Sequence, residues 1–81
     1  MFLAEINRLR NFTKFVIQEW GLEQVEGGLL DELYDTDNDH LKELTVHVLS
    51  LLAKEQCDNV CLWWKNLGNE LPDLYFGGED E

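Results

Sequence analysis

Asp35, Asp37 and Asp39 alternate with Thr36 and Asn38, which sets three carboxylates at the spacing of the first three oxygen ligands of a helix-flanked calcium loop. The resemblance stops there. The sixth position of such a loop needs a glycine for its sharp turn and here is His40; the twelfth needs a bidentate carboxylate and here is Val46. The triplet therefore reads first as turn and helix-cap chemistry, with weak calcium binding as the lesser alternative.

His40, His47, Cys57 and Cys61 carry the atoms that bind zinc, but their spacing does not gather them. Two histidines seven apart on one helix stand about 10 Å apart at a rise of about 1.5 Å per residue, too far to share an ion. Cys57 and Cys61 lie close enough to share one, yet further ligands would have to fold back from elsewhere, and a disulfide within one helix is strained. They read as reduced, partly buried thiols, and no metal or other cofactor is assigned.

Catalysis needs a nucleophile, a positioned base and a group that stabilises developing charge, and no motif here sets Ser or Cys beside His and an acid. The Gly27-Gly28 and Gly77-Gly78 pairs stand among acidic residues, at odds with a phosphate cradle. The chain reads as a non-enzyme.

Charge is the stronger signal. Of 81 residues, 17 are acidic and 6 basic, for a net charge of −11. Nucleic acids and anionic lipid surfaces are bound through Lys and Arg, so direct contact with either is disfavoured and a basic protein surface is the natural complement. Residues 1–14 carry +2 and residues 15–81 carry −13. Asp31, Glu32, Asp35, Asp37, Asp39 and Glu43 concentrate six carboxylates in thirteen residues, where like charges a turn apart weaken a helix. These six are the candidate partner-binding residues, since such a field steers association with a basic partner; the plainer alternative is a solvated loop that keeps the protein soluble.

Val60-Cys61-Leu62-Trp63-Trp64 is the second candidate surface. Five consecutive apolar residues cover all sides of a helix, so they cannot all meet one core. Leu62 and Trp63 are the members expected to face a partner, unless a strap formed by residues 69–76 covers them.

The elements that must position these groups are helical. Phe2, Ile6, Leu9, Val16, Ile17 and Trp20 recur at helical spacing, with Phe12 at the edge of the stripe and Phe15 off it; Gly21 marks the end. A short helix over Leu29–Tyr34 follows, then a turn in which Asp37, Asn38 or Asp39 caps the next helix. Leu41, Leu44, Val48, Leu51 and Leu52 define a third helix opposite a polar stripe of Glu43, His47, Ser50 and Lys54. Asp58 is expected to cap a fourth, over about residues 59–67, closed by Gly68; a continuous helix through Cys57 competes with that reading.

The expectation is an all-α chain: a compact bundle of three to four helices with a short C-terminal strap, Leu71 to Phe76, forming a single helical domain over 1–76, and a frayed acidic tail over 77–81. No apolar run approaches the ~20 residues that span a bilayer, and Glu5, Arg8 and Arg10 interrupt any signal-like start, so a cytoplasmic location is expected. The functional expectation is a regulator or inhibitor that docks on a basic surface of a partner protein, in its sharper form a nucleic-acid mimic that occupies a nucleic-acid-binding protein. The alternative from a different class is a homo-oligomeric scaffold, at simplest a homodimer, held by Phe15, Leu62 and Trp63.

Overall fold

The periodic apolar residues of the N-terminal segment build α1 (Leu3–Glu19) in the computed structural model, which describes residues 3–72. Gly21 adopts φ 60°, a left-handed conformation that costs glycine little, and ends the helix where the sequence places it. A single 3-10 turn, Leu22–Gln24, leads to α2 (Leu29–Asp35). Gly28 at the N-cap of α2 has no side chain to offer the exposed N–H groups of the first turn. Glu23 supplies the acceptor instead: its Oε2 takes the Leu30 N–H at 2.5 Å, and its charge suits the positive end of the helix.

The turn between α2 and α3 (Leu41–Ser50) is organised by Asp37, one turn earlier than a cap would stand. Its Oδ1 accepts from the His40 backbone N–H at 3.0 Å and contacts His40 Nδ1 at 2.6 Å, while His40 itself holds the N-cap position. None of Asp37, Asn38 and Asp39 is therefore the cap residue. The short polar side chain closes a turn more readily than it caps a helix that starts four residues on.

The third helix stops short of Leu51 and Leu52. Ser50 Oγ donates to the His47 carbonyl at 2.6 Å, and the Leu51 and Leu52 N–H groups reach back three residues, to Val48 and Leu49. The ladder tightens and ends. Ala53 is extended, and α4 (Lys54–Asn66) begins there, earlier than the polar residues 56–59 suggest. Gln56 Oε1 accepts the Ala53 N–H at 2.9 Å, half of a capping box that Ala53 has no acceptor to complete. Asp58 is consequently inside the helix, paired with Lys54 one turn back at 3.1 Å. Gly68, at φ 88°, closes the end.

The chain is all-α, a small bundle of four helices, and among the described residues there is no strand. Buried apolar residues from all four helices form one cluster, in which α1 packs chiefly against α3. Phe12, Val16, Leu29, Leu33, Leu41, Val48 and Val60 are fully buried. Each such side chain contributes about 1.5–3 kcal/mol of transfer free energy. Phe12 thus stands at the centre of the core, not the edge of the stripe. Leu67 follows the last helical turn and is exposed.

After Gly68 the chain crosses back over α4: Trp64 Nε1 donates to the Glu70 carbonyl at 2.8 Å, and Pro72 is buried. This is the described start of the strap; its continuation through Phe76 and the tail over 77–81 lie outside the described residues. No helix among the described residues is long and apolar enough to cross a membrane.

Candidate functional site

The consecutive tryptophans have different environments. Trp64 is buried edge-to-face on Phe12, with centroids 5.6 Å apart, and tilted against Phe15 at 5.2 Å. Phe15, off the α1 stripe in sequence, is thereby engaged within the bundle. Trp63 turns the other way, stacks on Trp20 at 5.3 Å and keeps 37% of its surface exposed. The Trp20 Nε1–H is shielded from solvent with no hydrogen-bond partner among the described residues. Leu62 is 55% exposed.

The basic residues of the first helix form no separate positive pole. Arg10 reaches across to the end of α2, where its guanidinium donates to the Leu33 carbonyl, to the Thr36 carbonyl at 3.3 Å and to Asn38 Oδ1 at 3.3 Å. A planar fork of donors is suited to the free carbonyls of a helix C-terminus. Arg8 approaches Glu70 at 3.8 Å, and the Lys14 ammonium lies 5.8 Å from the Tyr34 ring centroid. The helix whose sequence segment is net positive is therefore tied to its neighbours through its cations.

A cleft of about 290 Å³ opens beside α3. Glu26, from the link between the 3-10 turn and α2, lines one side together with Glu32 and Thr36 from α2 and its C-cap. His40, Glu43, Leu44 and His47 line the other. The lining holds three carboxylates and two imidazoles, with no lysine or arginine. His47 Nε2 lies 2.9 and 3.0 Å from the two oxygens of Glu26, a contact that joins segments 21 residues apart.

All six carboxylates of the 31–43 segment are exposed, but they do not act as one group. Glu32 and Glu43 line the cleft. Asp37 meets it through His40; Asp31, Asp35 and Asp39 are not part of its lining. Leu62 and Trp63 belong to α4 and also lie outside it. Glu26, His40 and His47 are functional candidates that spacing along the chain does not reveal. The polar stripe of α3 puts His47 on its solvent face; nothing local says that Glu26 meets it there.

Electrostatics at the rim follow from these contacts. The hydrogen bond from His40 holds the Asp37 carboxyl below its ordinary value, and the same bond, aided by the charges of Asp37 and Glu43, raises His40 above 6.5. Cys57 and Cys61 are free thiols, both pushed up chiefly by burial, which keeps them protonated and poorly nucleophilic. Cys57 Sγ donates to the Leu49 carbonyl at 3.6 Å. Among the described residues no group of three His, Cys, Asp or Glu side chains is placed to hold a metal ion, so neither the aspartate triplet nor the His/Cys set gains a ligand shell.

Comparison with protein-family models, with curated proteins and with solved structures returns no match.

Proposed function

We propose that this chain is a non-enzymatic, cytoplasmic binding protein, a regulator or inhibitor, that docks its acidic face on a basic surface of a partner protein. The observation that supports it most is the cleft, where Glu26, Glu32 and Glu43 converge from three segments with no lysine or arginine in the lining. Carboxylates collected from separate elements hold a stronger local field than a scattered charge of the same sum, and a concave wall focuses it. At about 290 Å³ the cleft is at the lower edge of the ~300–1,000 Å³ range of small-molecule sites. That size suits one long basic side chain of a larger partner. In the sharper form of this reading the partner is a nucleic-acid-binding protein, and the exposed Asp35, Asp37 and Asp39 extend the acidic surface along its phosphate-binding groove.

The test separates this face from net charge. Two variants lose equal charge: Glu26, Glu32 and Glu43→Gln in one, Glu19, Glu55 and Asp58→Gln or Asn in the other. Binding of an arginine-rich peptide is followed by fluorescence anisotropy at low salt. The first variant loses at least tenfold in affinity and the second less than threefold. Equal losses would reduce the acidic face to a solubility device. Displacement of the chain from a DNA-binding protein by duplex DNA distinguishes the mimic from other modes of docking.

A homo-oligomeric scaffold has narrower support, because Phe15 is packed on Trp64 and Trp63 on Trp20. What favours it is the exposure of Leu62 beside the part-exposed Trp63. Its signature is a dimer in sedimentation that persists at high salt.

A further inference from the structure

The cleft contains its own cation-forming groups. His47 Nε2 faces both oxygens of Glu26 at 2.9 and 3.0 Å, and His40 Nδ1 faces Asp37 Oδ1 at 2.6 Å. An ionised carboxylate only accepts hydrogen bonds, so each of these ring nitrogens carries the proton. The second nitrogen of each ring is the one that takes up another proton, which turns the imidazole into a cation.

We infer that docking is gated by protons: His40 and His47, when neutral, leave the cleft to its three carboxylates, and when protonated they supply the cations that a partner's arginine or lysine would otherwise bring. The inference rests on the docking reading and names the regulation of that same site. Protonation of both rings takes the lining from −3 to −1. The protonated His47 keeps Glu26 occupied from within the chain, since a charged donor holds a carboxylate about twice as strongly as a neutral one.

The groups that face the two rings favour this placement. Glu26 meets His47 from the link before α2, and Glu32 stands on α2 itself with the neutral Thr36. Asp37 and Asp39 act on His40 from the turn, and Glu43 acts from α3. Lys42, adjacent to them on α3, is not part of the lining. Coupling is reciprocal, so a basic ligand that prefers the unprotonated cleft must expel protons when it binds.

The test uses the full chain and a fluorescent oligo-arginine peptide at constant ionic strength. Affinity is expected to fall about tenfold from pH 7.8 to pH 5.8, and calorimetry near pH 6.5 in buffers of different ionisation enthalpy is expected to record proton release on binding. His40→Gln combined with His47→Gln should hold affinity within about twofold across that range, with helicity checked by circular dichroism. If wild type binds equally at both pH values with no proton release, the gate is overturned while docking stands. A pH dependence retained in the double variant would overturn it as well, by assigning the effect to other groups. Absence of binding at either pH would remove the docking reading and the gate with it.

Discussion

Thr13 Oγ1 and Thr45 Oγ1 lie 2.7 Å apart where α1 meets α3, and both side chains are fully buried. Each hydroxyl also faces the carbonyl four residues earlier in its own helix, Leu9 at 2.8 Å and Leu41 at 3.0 Å. Two hydroxyl protons cannot fill three such bonds at once with linear geometry. One threonine donates to its carbonyl and accepts from the other, which joins the two helices through the middle of an otherwise apolar core.

A double-mutant cycle reads this pair. Thr13→Val or Thr45→Val alone should cost about 1–2 kcal/mol, because the remaining hydroxyl keeps only its own helix carbonyl in a dry site. With both replaced, no hydroxyl is left behind, and the cost should be less than the sum of the two by about 1 kcal/mol. Urea denaturation measures all four proteins. Strict additivity would show that the hydroxyls act independently.

The two tryptophans should behave unequally. Trp64→Ala removes a buried ring from between Phe12 and Phe15, and a loss of about 3–5 kcal/mol is expected, enough to unfold a marginal domain. Trp64→Phe should cost less and free residues 69–72, since the bond to the Glu70 carbonyl goes with the indole nitrogen. Trp63→Ala loses one stacking contact with Trp20, worth about 0.5–1.5 kcal/mol beyond its area. Melting temperatures give the order Trp64→Ala, Trp64→Phe, Trp63→Ala from most to least destabilised, and a reversal of the outer two would place Trp63 in the core.

Arg10 should control the turn that carries Asp37. Arg10→Lys keeps the charge but cannot present a fork to the Leu33 and Thr36 carbonyls and to Asn38. A loss of about 1–2 kcal/mol is expected, with amide hydrogen exchange accelerated over residues 34–40 more than in α4. Uniform acceleration would mean that Arg10 supports the whole bundle and not this turn.

Stability should depend on pH through the Asp37–His40 pair. The folded-state value of His40 is raised, so its contribution is fully present below about pH 6.5 and is lost as pH rises through the raised value. Asp37 is depressed, so its contribution is present above about pH 3.8 and is lost as pH falls through the lowered value. Between those limits both act together. The melting temperature of wild type should decline between pH 6 and pH 8, and Asp37→Asn should flatten that part of the decline assigned to His40 by its NMR titration. An unchanged His40 titration in Asp37→Asn would separate the two groups.

Local patterning accounts for much of the bundle. The stripes in α1 and α3, and the glycines at 21 and 68, are readable because an α-helix repeats every 3.6 residues and left-handed backbone favours glycine. Boundaries were less legible where a side chain competes with the backbone. Ser50 ends α3 before Leu51, and Gln56 starts α4 before Asp58, through hydrogen bonds that composition alone does not rank. Thr13 and Thr45 are not legible as core residues, because each is polar by type and burial becomes favourable only when the other hydroxyl arrives from a different helix.

By itself, then, the sequence determined an all-helical chain, its acidity, and the exposure of the 31–43 carboxylates, since these follow from residue type and short-range periodicity. Tertiary structure decided which tryptophan faces α1, where the Arg10 fork lands, and that Glu26 meets His47 across 21 residues. Those outcomes depend on how helices pack against one another, and packing is set by the combined shape of side chains distant in sequence, which no local spacing records.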